Sequence, residues 1–454
     1  MRTMAPVAAL LALATTVVGC AELGVDGKDK KASSGLSFEK RTTVEANPSP
    51  GKVAGFDSER VWSGFDDWEP AVAADPNSSY VYQMTTRYNG PKACNGCPFP
   101  VIVFRASSNG GATWGPDRFL AITKKKQNDP MVEVASDGTL YAAWLDDFVP
   151  GVKFTKSSDR GGSWSTPIAF AGRRKIPEFS DRPVLAISSD GRDVYLAFNA
   201  SDSYVAASHD FGASFGPNRK ANNDTRYWFH TGGAVAPNGD VYFITTDFTQ
   251  DYTGDAFVSI LRSTDGGASW TTTRIDTSRE LPGCAWSAGC YFGFLGSSAA
   301  IAIDRVGAIV VAYGVNDTPG APEHIYTRSS TNGVTWSARQ LVSAPGAANG
   351  NFPALAAGPT AGDFRLVFQD DRLGSTNAWN TWYRQTQNAG NTWSAAVRLS
   401  DLGTGAPYKS ANGYRFPYGD YFEVAVDRNG MNHFIWAEGI SFTGPGGTWY
   451  TRGE

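Results

Sequence analysis

The stretch STDGGASW, residues 263–270, decides the fold because the chain repeats it at a regular spacing. Five close copies are SSNGGATW (107–114), SSDRGGSW (157–164), SHDFGASF (208–215), SSTNGVTW (329–336) and TQNAGNTW (386–393). Every copy has Gly at the fifth place and an aromatic residue at the eighth, and successive aromatics are 50, 51, 55, 66 and 57 residues apart. A period of about fifty residues is typical of a propeller or a similar repeat array.

Each copy stands in the same context. A short apolar run precedes it, another short strand follows it, and a hairpin lies about thirty residues earlier, as in VEVASDGTLYAAW (132–144) and GAVAPNGDVYFIT (233–245). The Asp-Gly and Asn-Gly pairs favour tight hairpin turns. One period therefore predicts four antiparallel strands, A to D, with the repeated string in the C–D turn. Such units in radial array form an all-β propeller.

The number of A–B hairpins gives the number of blades. Seven A–B hairpins begin near Pro70, Pro130, Pro183, Gly232, Ala299, Pro353 and Phe422. The last unit stops after its third strand, because TWYTR (448–452) aligns with NTWYR (380–384), the strand before the sixth copy. We predict that SERVWSG (58–64) supplies the missing outer strand, since closing the ring removes exposed sheet edges. The sequence thus predicts one seven-bladed domain over residues 58–454.

The repeated string resembles the Asp-box, or BNR repeat, of the sialidase (neuraminidase) superfamily, Ser-x-Asp-x-Gly-x-Thr-Trp. The resemblance covers nearly all of the mature chain and implies a propeller that acts on glycans. Sialidases use an arginine triad, a tyrosine paired with a glutamate, and an aspartate acid/base. Their Phe/Tyr-Arg-Ile-Pro motif precedes the first Asp-box, but here the nearest strings are KIPEF (175–179) and YRFP (414–417). Sialidases also have six blades, whereas this sequence predicts seven.

The string itself is interpreted as a structural turn. Its third place holds Asp159, Asp210, Asp265, Asn109, Asn388 or Thr331. A short Asp or Asn side chain accepts hydrogen bonds from nearby turn amides, Gly at the fifth place allows a positive φ, and the aromatic anchors the turn. Six such turns in one ring cannot meet at a central point, so the ligand site is expected at the opposite axial mouth.

The B–C and D–A loops are expected to line that mouth. Cleavage of a glycosidic bond needs two acidic groups, or an acid and a tyrosine, and arginines pair with substrate carboxylates. The catalytic candidates are Asp147, Asp371, Glu438 and Tyr418. The substrate-binding candidates are Arg87, Arg182, Arg372, Arg415, Trp68, Asp247 and His230.

Three functions remain open: a surface-anchored glycoside hydrolase of sialidase-like type, a non-catalytic propeller that binds glycan or protein at the cell envelope, and a structural lipoprotein. With only four His residues, a Ser-His-Asp hydrolase or a histidine metal centre is not expected, and no cofactor is predicted. The net charge of -4 gives no reason to expect nucleic acid as a partner. We expect a monomer.

The N-terminus predicts export. Residues 1–20 combine Arg2, a short apolar stretch and VVGC, which resembles the lipobox of bacterial lipoproteins with Cys20 as the lipidated residue. Residues 21–57 are interpreted as a flexible tether, so the protein would be a membrane-anchored, extracytoplasmic lipoprotein of the cell envelope.

The four other cysteines form two close pairs, Cys94/Cys97 and Cys284/Cys290. Two loop disulfides are favoured over a shared zinc site, because the pairs are far apart in sequence and the second pair has the wrong spacing for a zinc knuckle.

Overall fold

The computed structural model describes residues 55–147, 151–172, 180–250, 254–279, 298–347, 349–375, 378–400, 406–407, 422–439 and 446–454. These residues form seven antiparallel sheets, which confirms the predicted seven-bladed propeller. Within these ranges there is no helix long and apolar enough to cross a membrane.

Every blade contributes one strand to each of four concentric positions. The innermost strands are β2 (Asp67–Ala74), β6 (Gln127–Val134), β10 (Asp181–Ile187), β14 (Tyr227–Val235), β18 (Ala299–Ile303), β22 (Gly350–Ala357) and β27 (Glu423–Val426). The second strands are β3 (Val81–Arg87), β7 (Leu140–Asp146), β11 (Val194–Ala200), β15 (Val241–Phe248), β19 (Ile309–Val315), β23 (Phe364–Ser375) and β28 (Asn432–Gly439).

The third strands are β4 (Val101–Ser107), β8 (Val152–Ser157), β12 (Asp202–Ser208), β16 (Ala256–Ser263), β20 (His324–Ser330), β24 (Ala378–Thr386) and β29 (Gly446–Gly453). The outermost strands are β5 (Arg118–Phe119), β9 (Ile168–Phe170), β13 (Arg219–Lys220), β17 (Thr271–Ser278), β21 (Gln340–Leu341), β25 (Val397–Arg398) and β1 (Arg60–Val61). A further short strand, β26 (Ala406–Pro407), pairs with β24.

The seventh blade is completed by the N-terminal strand, as predicted. Strand β1 pairs antiparallel with β29, with Arg60 opposite Tyr450 and Val61 opposite Trp449. The Trp62 amide donates to the carbonyl of Thr448 at 2.7 Å. The two ends of the propeller are therefore joined within one sheet.

The repeated string forms the turn between the third and fourth strands, and its hydrogen bonds follow the predicted pattern. In the second copy, Asp159 Oδ1 accepts from the Ser163 amide at 2.8 Å, and Ser157 Oγ accepts from the Gly161 amide at 2.8 Å. Hydrogen bonds from the Ser163 hydroxyl, the Ser163 amide and the Ser157 hydroxyl stabilise the charged carboxylate and lower the pKa of Asp159 to about 2. The Asp159 carboxylate thus has a structural role in the turn.

The same turn also joins neighbouring blades. Trp164 makes an edge contact with Phe104 of the preceding blade, with ring centroids 5.5 Å apart. In the same way Phe215 meets Phe154 of the preceding blade at 4.9 Å, and Trp114 meets Tyr450 of the seventh blade at 5.2 Å. The aromatic at the eighth place thus packs between two sheets, which explains why each repeat needs one.

The fifth copy departs from the predicted register. Thr331 occupies the third place of the string, but Asn332 makes the turn contacts, accepting from the amides of Val334 and Thr335 at 2.9 Å each. Ser330 Oγ accepts from the Gly333 amide at 2.8 Å, over three residues instead of four. This turn is one residue shorter than the turn at Asp159, so Thr331 was the wrong assignment.

Candidate functional site

A cavity of about 300 Å³ lies on the propeller axis and is lined by the innermost strand of every blade. Most of its lining is small or apolar. Its ionisable lining residues, among those that the structure describes, are Asp129, Glu133, Arg182 and Glu423. The cavity therefore brings three carboxyl groups and one guanidinium together from blades 2, 3 and 7.

Bulges at the start of the innermost strands shape the entrance of this cavity. Glu69, Asp129, Arg182 and Phe352 each precede a proline and have φ between 47° and 56°. At each of these places the pairing with the second strand shifts by one residue. A bulge re-aims side chains, and such left-handed backbone is strained for these residues. The strain recurs around one opening, which singles out this end of the axis.

Hydrogen bonds run from one bulge to the next blade. The Glu69 carboxylate accepts from the Asp129 amide at 3.1 Å and from the Tyr88 hydroxyl at 3.3 Å. Arg182 Nε donates to the carbonyl of His230 at 3.1 Å, and its guanidinium lies over the ring of Phe229. These contacts hold the polar side chains of the entrance in fixed positions before any ligand arrives.

Two carboxyl groups inside the cavity have strongly perturbed ionisation. Burial raises the pKa of Glu423 well above its usual value, against the opposing effect of a 2.6 Å hydrogen bond from the Val72 amide, and the nearby Glu133 raises it further. Burial also raises the pKa of Glu133 to about 7. The cavity thus holds two carboxyl groups whose protonated forms are favoured more than in water.

His230, a predicted binding residue, lies directly behind this wall. Its Nε2 is 2.9 Å from Ser203 Oγ, and the side chain is fully buried. Burial and the charge of Arg182 lower the pKa of His230 to about 3, so the ring is neutral at ordinary pH. It supports the blade 3–4 joint and does not line the cavity.

The predicted carboxylates do not meet at the axis. Asp147 is partly exposed and accepts from the Lys126 amide at 3.0 Å, while Asp371 accepts from the Asn349 amide at 3.1 Å. Glu438 is fully buried on β28. Asp247 is paired with Arg226, and burial raises its pKa to about 6. None of these four lines the axial cavity.

Two predicted arginines and the predicted tryptophan have structural contacts. Arg87 is fully buried and ion-paired with Asp67 at 2.7 Å. Arg372 binds Asp370 through two nitrogens, and its guanidinium lies 3.9 Å from the ring centre of Trp382. Trp68 is completely buried between blades. In this structure neither Arg87 nor Trp68 is accessible to a ligand, whereas Arg182 alone of the described candidates lines the cavity.

Several other predictions fall outside the described residues: Tyr418, Arg415, Cys20, Cys284 and Cys290. The predicted disulfide between Cys94 and Cys97 is present in the B–C loop of blade 1. In the described part of the chain, no group of three or more His, Cys, Asp or Glu side chains is placed to hold a metal ion.

Sequence reasoning missed Asp129, Glu133 and Glu423 because it looked for ligands in the loops between strands. These three residues belong to the innermost strands or to the bulges that open them. A usable signal was present, since Glu-Pro, Asp-Pro, Arg-Pro and Phe-Pro recur at the start of four of these strands. Proline within a strand often marks a bulge, and bulges often lie next to active sites.

No family model matches this chain, and no curated protein matches it. Among solved structures it is similar to a polysaccharide lyase, an ulvan lyase bound to -[GlcA(1-4)Rha3S]-, with a TM-score of 0.53 at 10% identity over 86% of this chain and 94% of that chain. It is also similar to a Hadza microbial sialidase, with a TM-score of 0.48 at 11% identity over 83% and 73% of the two chains.

A third similar structure is the α-L-arabinofuranosidase of Fusarium graminearum in complex with arabinobiose. The TM-score is 0.48 at 11% identity, over 88% of this chain and 97% of that chain. The neighbours of this propeller thus include sialidases and other glycan-active propellers, and at these identities the likeness is one of fold alone.

Proposed function

We propose that this chain binds glycans at the axial mouth and hydrolyses a glycosidic bond inside the axial cavity. The observation that carries the proposal is the placement of Glu133 and Glu423 in one cavity formed by the innermost strands of all seven blades. The charge of Glu133 contributes to the raised pKa of Glu423, which places the two groups close enough to interact.

The size and lining of the cavity support a saccharide ligand. Its volume lies at the lower end of the range of small-molecule sites, about 300 to 1,000 Å³, and its lining combines an apolar wall with a few fixed polar groups. The ulvan lyase of the same fold carries a bound saccharide, which makes a glycan the natural first ligand to test.

The chemistry follows from the two ionisation states. Most glycoside hydrolases use one protonated carboxyl as general acid and one carboxylate as base or nucleophile. The pKa of Glu423 is raised well above its usual value, which suits this residue to protonate the leaving oxygen, while Glu133, whose pKa is raised to about 7, is suited to act as the base. Arg182 at the entrance then orients the sugar through its guanidinium.

The test is a released-sugar assay with the purified full-length chain on a panel of polysaccharides and oligosaccharides. Glu133→Gln and Glu423→Gln keep side-chain size, and a glutamine carbonyl at 423 can still accept from the Val72 amide. Each is expected to reduce turnover at least about a hundredfold. Asp137→Asn, a carboxyl-to-amide change on the exposed hairpin of the Glu133 blade, is the matched control.

Binding without turnover would support the alternative function, a non-catalytic glycan-binding propeller. In that case a glycan array would give ligands whose affinity falls in the two glutamine variants, yet no sugar would be released. If no glycan binds, or if the cavity variants bind as tightly as wild type, the site is not the one described here.

The proposal includes export and membrane anchoring through lipidated Cys20, followed by the tether of residues 21–57. Support comes from the VVGC sequence and the apolar stretch before it. Metabolic labelling with a fatty acid should mark the wild-type chain and not Cys20→Ala. Equal labelling of both, or labelling of neither, contradicts the anchor without affecting the glycan site.

A further inference from the structure

We infer that the axial cavity selects a sugar bearing a free amine over a sugar bearing a carboxylate. The inference rests on the proposed glycan function and concerns the class of sugar that the same cavity takes. The resemblance to sialidases implies an acidic substrate, but the groups that line the cavity point to the opposite charge.

The charge balance of the described lining is the first argument. Asp129, Glu133 and Glu423 supply three carboxyl groups, whereas Arg182 is the single cationic side chain among the described lining residues. Arg182 is also engaged already, because its Nε donates to the His230 carbonyl and its guanidinium lies over Phe229. A substrate carboxylate would therefore meet more carboxyl groups than free cationic donors.

The hydrogen-bonding state of these carboxyls is the second argument. Within the described part of the chain, the Glu133 carboxyl has no hydrogen-bond partner although it lines the cavity. Glu423 uses one oxygen to accept from the Val72 amide, which leaves its second oxygen available to the cavity. An ammonium group carries three donors and no acceptor, so it matches acceptors of this kind.

The third argument is electrostatic. Attraction between opposite charges and repulsion between like charges are both stronger in a buried cavity than in water. Burial raises the pKa of Glu133 and Glu423 because each charge stands in a poorly solvated place. An ammonium group beside Glu133 compensates for that missing solvation, lowers the pKa of Glu133 and favours loss of its proton. Binding of a sugar whose amine is already protonated therefore releases protons from Glu133 near neutral pH, whereas binding of its neutral counterpart need not.

The experiment compares three oligosaccharides with the full-length protein: a β-1,4-glucosamine trimer, the same trimer N-acetylated, and a trimer of galacturonic acid. Calorimetry at pH 6 and pH 7, in two buffers of different ionisation enthalpy, measures affinity and the number of protons exchanged. We expect the glucosamine trimer to bind at least about tenfold more tightly than the other two and to release protons.

Cavity variants locate the effect. In Glu133→Gln the preference for the glucosamine trimer should fall at least about fivefold and proton release should decrease, while Asp137→Asn should retain both. Glu133→Gln should lose less affinity for the N-acetylated trimer than for the glucosamine trimer, and its melting temperature should stay close to that of Asp137→Asn, which shows that the variant is folded and that the change in preference is specific for the amine.

Equal affinity for the three trimers, or tightest binding of the galacturonic acid trimer, overturns the inference and leaves glycan binding in the cavity intact. Preference for the amine without any change in Glu133→Gln overturns it as well. If none of the three trimers binds, the inference fails, and the polysaccharide panel and glycan array then decide the proposed function separately.

Discussion

At the scale of single residues, Glu323 is a buried carboxyl outside the axial cavity. It is completely buried where the third strand of blade 5 begins, and both of its oxygens lack a hydrogen-bond partner. It sits over Gly314, where any side chain would overlap it, and beside Asn351 of blade 6. Asn351 Oδ1 accepts from the Phe352 amide at 2.8 Å, so it gives the Glu323 carboxylate no donor.

The burial of Glu323 predicts that its contribution to stability decreases as pH rises. Burial raises the pKa of Glu323 well above its unfolded value. Its contribution to stability is therefore complete below the unfolded pKa of about 4.3 and is lost as pH climbs through the folded pKa. Glu323→Gln removes the proton dependence, so its melting temperature should exceed that of wild type by at least about 1 °C at pH 8 and equal it at pH 4. Thermal melts across this range decide, and a variant less stable than wild type at pH 8 contradicts the interpretation.

Gly161 has both a positive φ and a close contact with the neighbouring blade, whereas Gly239 has only the positive φ. The φ of Gly161 is 75°, and an added Cβ would lie 2.5 Å from ring carbons of Phe104 in the preceding blade. Gly239 has a φ of 88° with nothing within 4 Å of the same position. Gly239→Ala should cost about 1 kcal/mol for backbone strain alone, and Gly161→Ala about 2 kcal/mol or more because it also crowds the blade joint. Denaturant titrations measure both, and equal losses would show that the joint is not tight.

At the scale of the element, the hydrogen-bonded turn can shorten by one residue although the repeated string keeps its length of eight residues. In the fifth copy the Gly and the aromatic keep their places, while the hydrogen-bonding Asx residue moves from the third place to the fourth. The contacts of Ser330 shift with it, so the shorter turn still closes onto the same strand. The glycine and the aromatic fix the position of the turn because both meet the neighbouring blade, whereas the Asx residue serves only its own turn.

The shortened turn makes a direct prediction. Asn332→Ala removes two accepted backbone hydrogen bonds and should destabilise the protein by about 1 kcal/mol. Thr331→Ala, the change at the formal third place, should have an effect close to zero. Chemical denaturation measures the free energy of unfolding of both variants. A larger loss for Thr331→Ala would mean that the residue at the third place makes the turn contacts after all.

The bulges explain why the site was harder to predict than the turns. In a strand with strict alternation, the sequence predicts which side chains face the axis. One extra residue before each proline reverses the sheet face on which the neighbouring side chains lie. Asp129 and Arg182 reach the cavity for this reason, while Trp68, two residues before a proline, turns into the core. The loops that carried most of the predicted candidates do not control this geometry.

At the scale of the whole molecule, the ring depends on a two-residue strand. Strand β1 is held to β29 by its backbone pairing, by the Trp62 amide, and by an ion pair between Asp57 and Arg452 at 2.8 Å. Trp62 itself packs in a core shared by blades 1 and 7. Closure thus relies on a few backbone hydrogen bonds supported by the packing of Trp62 and Phe56, whose ring meets Tyr383 and Phe434.

Those backbone bonds can be tested at Trp62. Trp62→Ala and Trp62→Pro both lose the indole packing, but only the proline also loses the N–H that donates to Thr448. We expect Trp62→Pro to be less stable than Trp62→Ala by about 1 to 3 kcal/mol. Limited proteolysis should cut the proline variant first near its N-terminal segment. Equal stability of the two variants would mean that side-chain packing alone closes the ring.

The overall fold could be predicted from sequence because each blade repeats the same local rules. The sequence shows the glycine and aromatic of each turn, the Asp-Gly hairpins and a seventh unit that lacks its outer strand. The structure confirms seven blades and the N-terminal outer strand. The cavity could not be predicted from sequence, because the pKa values of Glu133 and Glu423 are raised by burial between strands that are distant in sequence. Neither residue stands in a motif.

Joining the two chain ends in one sheet also dictates an order of folding. Asp57 and Thr451, which are hydrogen-bonded through the Thr451 hydroxyl, lie 394 positions apart, and bringing such ends together costs about 5 kcal/mol of chain entropy. The six blades between them can form from local contacts as the chain is synthesised, but the seventh must wait for residues 446–453. Until then the strand edges on both sides of the gap stay unpaired and available to other chains. Each newly synthesised chain therefore passes through an open-ring stage in which its risk of aggregation is highest.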